Sequence, residues 1–369
     1  MKPAAVFAVA LLLGAVAVSA RAGIFAPAAG QPGSTAVEAA SGAITGWAAV
    51  VEDYTPGTNV DAAFRTPEKS LGAAGNSDGT GAGFIYDVVS LGRGGSITLR
   101  FDPPIADGPG SDFAVFENAF SDGFLEVAWV EVSSDGSHFV RFPAFSLTPG
   151  PVAAFGASMD ATNLEGLAGK YRGGFGTPFD LAGLAGAAGL DRAAVTHVRL
   201  VDVVGDGSAP NDLTPASLAG WLGMPLASLP PSLVAIASGA PAAIYDPYPT
   251  VGSAGFDLDA VGVLHVAAPA DMDGDGVQDS ADNCTQVANT SQCDSDGDGY
   301  GNRCDGDFNG NGATNAQDTV LLRQQLGQPS VAPGYHPADL NCNGAVNAQD
   351  TTLFRSLLGR PPGPSAPHP

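Results

Sequence analysis

Between positions 24 and 268 apolar side chains come in short runs rich in Val, Ile and Phe, at 96–101, 112–117, 125–133, 139–142, 195–204 and 256–266. Each run is closed by turn formers, as at Ser134-Asp135-Gly136. Runs of this length between Gly, Pro and Asp predict strands, and this many in one segment predict a large β-sandwich. Few stretches keep a helical period. The exception is 217–229, a short helix inside a Pro-rich insertion between the last two strands.

The pattern differs at both ends. Lys2 is followed by an apolar run over 4–18 and by Ala20-Arg21-Ala22, the small-x-small form of a secretory leader cleaved after Ala22. The run is short for a membrane span of about 20 residues, and no second span follows. From position 269 the apolar runs give way to Asp, Asn and Gly. Only two apolar segments remain, at 320–327 and 352–359. Leu322 with Leu326, and Leu353 with Leu357, share a helix face at i, i+4, so two short helices are expected to pack as an antiparallel pair. Gly327 and Gly359 stand where a helix takes a left-handed cap. The expected organisation is a signal peptide (1–22), a β-sandwich (23–268), a repeat segment (269–305), a small helical pair (306–360) and a disordered Pro-rich tail (361–369).

Four windows of twelve residues, at 271–282, 294–305, 307–318 and 339–350, share one arrangement. Oxygen-bearing side chains fill positions one, three, five, nine and twelve. They are Asp271, Asp273, Asp275, Asp279 and Asp282; Asp294, Asp296, Asp298, Asn302 and Asp305; Asp307, Asn309, Asn311, Asn315 and Asp318; and Asp339, Asn341, Asn343, Asn347 and Asp350. Calcium takes six to eight hard oxygen ligands, and alternate side chains of a tightly wound loop deliver them to one centre. Position seven contributes its carbonyl, here of Val277, Tyr300, Ala313 and Ala345. Gly276, Gly299, Gly312 and Gly344 at position six permit the turn. One such stretch reads equally as a solvated turn, whereas four in register within eighty residues predict calcium loops.

Charge supports this reading. The 369 residues hold 15 basic and 38 acidic side chains, a formal net charge of -23, which repels nucleic acid and favours cations. With 50 Gly and 29 Pro in a chain that is 44% hydrophobic, a turn-rich fold is expected rather than disorder. The cysteines, Cys284, Cys293, Cys304 and Cys342, all lie in the C-terminal third, without a CxxC or a nearby His, so disulfides are favoured over zinc. Four cysteines allow three connectivities.

The segment 271–284, DMDGDGVQDSADNC, followed by 294–305, DSDGDGYGNRCD, resembles thrombospondin type 3 repeats. The pair DFNGNGATNAQD (307–318) and DLNCNGAVNAQD (339–350), each running into an apolar segment, resembles a type I dockerin. The repeat resemblance implies a Cys284–Cys304 bond, which leaves Cys293 with Cys342. The dockerin resemblance implies a cohesin-like partner contacted near loop positions ten and eleven, Ala316, Gln317, Ala348 and Gln349, whose near identity would allow two binding orientations. Position twelve is Asp throughout instead of the longer Glu of an EF-hand, so no EF-hand opening is expected. Dockerins usually carry Asp at position five, where this chain has Asn311 and Asn343. With charge only at their two ends, the last two loops are expected to bind calcium more weakly than the first two.

In the large domain, 112–120 (DFAVFENAF), 127–136 (VAWVEVSSDG), 244–250 (IYDPYPT) and 255–261 (GFDLDAV) resemble a cell-surface sandwich domain of secreted bacterial proteins and, more distantly, carbohydrate-binding jelly rolls. That resemblance brings no catalytic residues. Glu117, Glu131, Asp202, Asp246, Asp257 and Asp259 could include a pair for glycoside hydrolysis, which needs two carboxyl groups roughly 5 to 9.5 Å apart. Asp246 and Asp257 are also candidates for holding a structural ion. Tyr245 and Tyr248, in a Pro-flanked loop, are the expected exposed aromatics for a sugar or other ligand. The histidines form no HExxH, and no GxSxG elbow between a strand and a helix is expected. The expected function is therefore a secreted, calcium-dependent extracellular or cell-surface protein with a non-catalytic binding module. The alternative is a dockerin-bearing glycoside hydrolase acting on extracellular polysaccharide.

Overall fold

The computed structural model describes residues 23–75, 87–156, 158–267, 271–330 and 334–363. The expected leader, at 1–22, lies outside these residues, as does the tail from 364. The chain divides into two units, Met1–Ala267 and Ala268–Pro369, so the repeat segment and the helical pair belong to one unit.

The first unit is mainly β. Its principal strands are β1 (Val37–Glu38), β2 (Gly46–Trp47), β3 (Val50–Thr55), β4 (Val89–Ser90), β5 (Ser96–Ile105), β6 (Phe113–Glu117), β7 (Ala128–Ser133), β8 (Val140–Arg141), β9 (Leu167–Ala168), β10 (Phe175–Phe179), β11 (Val195–Asp202) and β12 (Asp257–Val263). One antiparallel sheet has the order β1-β10-β6-β12-β2, with β4 also on β12. The other has β9-β7-β11-β5-β3, with β8 also on β7. Ile97, Leu99 and Phe101 alternate inward from β5 and meet Phe113 and Val115 of β6, Val130 of β7 and Val261 of β12 in one shared core. Phe113 lies flat on Phe179, with centroids 5.2 Å apart. In β11 the inward positions change phase from Val195 to Val198 and Leu200, because a bulge after Val195 shifts the register.

β6 and β12 are buried along their whole lengths. Ala114, Phe116 and Ala260 face away from the shared core into a second cluster with Trp47 and Val37. A strand covered on both faces reads as a continuous apolar run, so the carboxylates that end β6 (Glu117) and begin β12 (Asp257) are carried into the interior.

The helix expected over 217–229 is two helices, α1 (Pro215–Trp221) and α2 (Pro231–Ser238), separated by a short 3-10 turn. Pro225 and Pro230 force extended backbone before the next turn. The first helix starts earlier because Thr214 and Ser217 form a reciprocal capping box.

In the second unit α3 (Ala316–Gln325) and α4 (Ala348–Leu357) begin four residues ahead of the apolar segments. The two halves exchange equivalent bonds. The amide of Gly327, past α3, donates to the Val346 carbonyl, and that of Gly359, past α4, donates to the Thr314 carbonyl, each at 2.8 Å. Leu322, Leu340, Val346, Phe354 and Leu357 form the small core. Leu326 does not join it and is 41% exposed. The helix has ended, and Leu326 is extended at ψ 130°. Cys284 bonds Cys304 and Cys293 bonds Cys342, the pairs the repeat resemblance implies. The expected disordered tail begins with an ordered contact, the Gly363 amide donating to the Cys304 carbonyl at 2.8 Å. No helix of the described residues is long and apolar enough to cross a membrane.

Candidate metal centre

Each twelve-residue window folds on its first aspartate. The Asp271 carboxylate accepts from the amides of Gly274 (2.9 Å) and Gly276 (3.0 Å), and Asp294 repeats this with Gly297 (2.7 Å) and Gly299 (3.1 Å). Asp307 takes the amides of Asn311 (3.1 Å) and Gly312, and Asp339 those of Asn343 (3.1 Å) and Gly344 (3.0 Å). Turning the position-six amide back to position one requires left-handed backbone. Gly276, Gly299, Gly312 and Gly344 take φ of +92°, +95°, +86° and +101°.

Position five holds the next turn. The Oδ1 atoms of Asp275, Asp298, Asn311 and Asn343 accept from the position-seven amides of Val277, Tyr300, Ala313 and Ala345, at 2.8, 2.9, 3.2 and 3.2 Å. With positions one and five so fixed, side-chain oxygens of Asp271, Asp273 and Asp275 gather within 4.8 Å of one another, as do those of Asp294, Asp296 and Asp298.

Position twelve divides its two oxygens between jobs. In the helical half, Oδ2 of Asp318 and of Asp350 accepts the amides of Asn315 and Asn347 at 2.8 Å, completing capping boxes. Asp282 Oδ1 accepts from the Cys284 amide (2.9 Å) and Gln292 Nε2 (2.7 Å), and Asp305 Oδ1 from the Asp307 amide (2.8 Å). The second oxygens of Asp282 and Asp350, with Asp273 Oδ2, are buried and have no hydrogen-bond partner. A buried carboxylate oxygen without a donor costs several kcal/mol unless a cation answers it, so these orphans fit a metal ion. With one oxygen committed to the backbone, the shorter Asp offers one oxygen where an EF-hand Glu offers two.

The same crowding appears in proton affinity. Burial, then the charges of Asp298, Asp296 and Asp307, push Asp305 up to about 7 against the amide of Asp307, which lowers it. Asp273 is raised by burial and by Asp275, Asp282 and Asp271, and Asp350 by burial and by Asp339. Position twelve therefore shares the field of positions one to five. In the third loop the approach is direct, Asn309 Nδ2 lying 2.8 Å from Asp318 Oδ1. A half turn of that amide would present its oxygen instead.

Position nine stands apart. Asp279 and Asn302 accept the position-two amides of Met272 and Ser295 at 2.8 Å. Asn315 and Asn347 are helix N-caps, accepting from Gln317 and Gln349, while their Nδ2 groups donate to the carbonyls of Ala313 (2.8 Å) and Ala345 (2.9 Å). In calcium loops of this kind position nine often acts through water. Asn341 and Asn343 both donate to Gln349 Oε1, at 3.2 and 2.8 Å, and Asn311 donates to Gln317 Oε1 at 3.1 Å.

The first unit places its expected ligand tyrosines differently. Tyr245 and Tyr248 are half-buried, not exposed. Tyr248 sits in a short strand beside Ala153, and the Arg93 guanidinium covers one ring face at 4.9 Å. Glu131 pairs across strands with Arg199 Nε at 2.6 Å. Glu117, Asp202, Asp246, Asp257 and Asp259 are buried. Glu126, which the sequence does not single out, is buried with them. A lone Glu inside the apolar run 125–130 is the signal that marks it.

Residues 268–292 match the thrombospondin type 3 repeat, and residues 305–358 match the dockerin type I domain. The first match spans the first loop and ends before the second, and the other spans the third and fourth. No curated protein matches the chain. Both are calcium-binding domains typical of extracellular proteins, and dockerins bind cohesins. Together they make the C-terminal unit an extracellular assembly module.

Proposed function

We propose that the chain is secreted, that calcium in the four loops assembles its C-terminal unit for capture by a cohesin-type partner, and that the β-sheet unit is a non-catalytic module for a polysaccharide or other cell-surface ligand. The ligands would be positions one, three, five and twelve of each loop, with the carbonyls of Val277, Tyr300, Ala313 and Ala345. One observation carries the attachment reading: the two halves present equivalent free surfaces. Ala316-Gln317 and Ala348-Gln349 are exposed in the first turns of α3 and α4, whereas Asp318 and Asp350 of the same turns are buried. Beyond them, Leu322 and Arg323 face Phe354 and Arg355 across a groove of about 310 Å³. An apolar floor between two guanidinium groups suits a partner with acidic side chains.

Burial of the candidate acids supports the non-catalytic reading of the first unit. Glycoside hydrolysis needs two carboxyl groups open to a sugar, and no atom of a bulky substrate reaches Glu117 at 1% exposure or Asp257 at 3%. The attachment reading is tested with the full chain over a panel of immobilised cohesins, with calcium and with chelator. Binding is expected only with calcium. Arg323→Glu or Arg355→Glu alone should leave one orientation available and cost a few-fold, while the double variant should lose about 30-fold or more, as for an interface hot spot. Binding that survives chelation, or the double variant, contradicts the reading.

A further inference from the structure

At one end of the sandwich four strand termini bring five carboxylates inside the protein. Glu117 closes β6, and Asp257 opens the neighbouring β12, where Leu258 pairs with Glu117. In the other sheet Asp202 closes β11 opposite Ala128, two residues after Glu126. Asp246 comes from the segment before Tyr248 and accepts the Val127 amide at 2.7 Å. Asp202 ties the two sheets together, taking the amides of Gly94 (2.9 Å) and Phe256 (2.8 Å). The backbone passes so close that a Cβ on Gly255 would lie 2.6 Å from Asp202 Oδ1. All five residues are 4% exposed or less.

Among the described residues no Lys, Arg or His forms an ion pair with any of them, and Arg93 acts on Asp202 only at longer range. Asp257 has the Ser90 and Ser253 hydroxyls and the Asn118 amide (3.4 Å). Glu117 Oε2 accepts the Ala119 amide at 2.8 Å, but its Oε1 is buried with no partner, in the field of Glu126 and Asp257. Another acidic group, Asp107, Asp112 and Asp180, shows the contrast. Asp112 takes the amides of Gly108 and Leu181 at 2.7 Å and His265 at 3.0 Å, and Asp107 pairs with Arg192. That group is answered by charged side chains as well as amides; at Glu117 the donors are neutral and one buried oxygen, Glu117 Oε1, has none.

We infer that the Glu117, Glu126, Asp246 and Asp257 carboxylates, latched by Asp202, enclose a structural calcium ion in the β-sheet unit, separate from the four loops. Calcium suits the place better than magnesium, which keeps several waters and is rarely held in an all-protein cage. Carboxylates from both sheets would supply part of the shell and neutral oxygens of the adjoining strand ends the rest. Burial and mutual repulsion raise Glu117, Glu126 and Asp246 well above the usual carboxylate range and Asp257 to about 7. Their oxygens are not gathered within 4.8 Å of one another as those of the first two loops are, so a divalent ion would draw them together and relieve both effects. It would also make the closure of this end of the sandwich calcium-dependent.

The test is calcium stoichiometry of the full chain by native mass spectrometry, after chelation and return of calcium alone. The double variant Glu117→Gln with Asp257→Asn is expected to carry one ion fewer than wild type, while Asp271→Asn, a change in the first loop, should not affect the sandwich ion. Unfolding of the β-sheet unit should shift upward with calcium in wild type and in Asp271→Asn, and not in the double variant. Crystals of the wild-type chain soaked in terbium provide a readout independent of the variants, with an anomalous peak expected between Glu117 and Asp257. Absence of that peak while the loops show theirs, or an unchanged ion count in the folded double variant, overturns the inference.

Discussion

Phe354→Ala is expected to unfold the helical half of the C-terminal unit while leaving the β-sheet unit intact. Phe354 is 1% exposed and stacks on Phe308, with centroids 5.4 Å apart, in a core of half a dozen buried side chains. Truncating a buried Phe costs about 3–5 kcal/mol. Even whole domains are stable by only about 5–15 kcal/mol, and so small a core has little to spare. Limited proteolysis of the full chain in saturating calcium should therefore cut within 306–360 in the variant and not in wild type. Leu326→Ala is the matched control. Its side chain shares the expected helical face but is exposed, so it should change stability by no more than about 0.5 kcal/mol. Equal sensitivity of the two variants would contradict the core described above.

Removing the Cys293–Cys342 bond should be the more damaging of the two disulfide deletions. It spans 49 positions of sequence against 20 for Cys284–Cys304. On the chain-entropy model, closing loops of those lengths is worth about 4 and about 3 kcal/mol. The bond also holds an awkward residue. Position four of the first three loops is Gly274, Gly297 and Gly310, with φ of +73°, +76° and +66°, whereas the fourth loop has Cys342 at +48°. Cys293→Ala with Cys342→Gly should accordingly be more stable than Cys293→Ala with Cys342→Ala, by about 1 kcal/mol. Denaturant unfolding of the C-terminal unit within the full chain measures all three differences. Equal stability of wild type and the Ala–Ala pair would refute the ranking.

The loops were legible because their chemistry is local. Every ligand position lies within twelve residues, and the turn at position six is written as Gly in all four copies. Helix starts were misplaced for a reason also present in the sequence. Asn315 and Asn347 cap helices from inside the loops, and Asp318 and Asp350 three residues later complete the boxes. From the sequence those residues read as metal ligands alone, and the helices as starting at Val320 and Thr352.

Other features depend on contacts between distant parts of the chain. β10 escaped the pattern because Gly176 and Pro178 break its apolar run. Gly176 is there because a Cβ would lie 2.8 Å from the Phe116 ring. The burial of Tyr248 depends on Arg93 and on a strand partner about a hundred residues earlier, and that of Tyr245 on the cluster around Val203 and Ala209. Nothing beside Glu126 in sequence announces that its carboxylate is buried in the field of those of Asp257, Asp246 and Asp202.

Amide hydrogen exchange of the full chain, with calcium and after exhaustive chelation, tests most directly whether metal holds the C-terminal unit together. Chelation is expected to abolish protection in α3, α4 and the turns at Gly276, Gly299, Gly312 and Gly344, while the middle of β5 and β11 stays protected. Unchanged protection of α3, α4 and those turns without calcium would contradict calcium assembly of the unit.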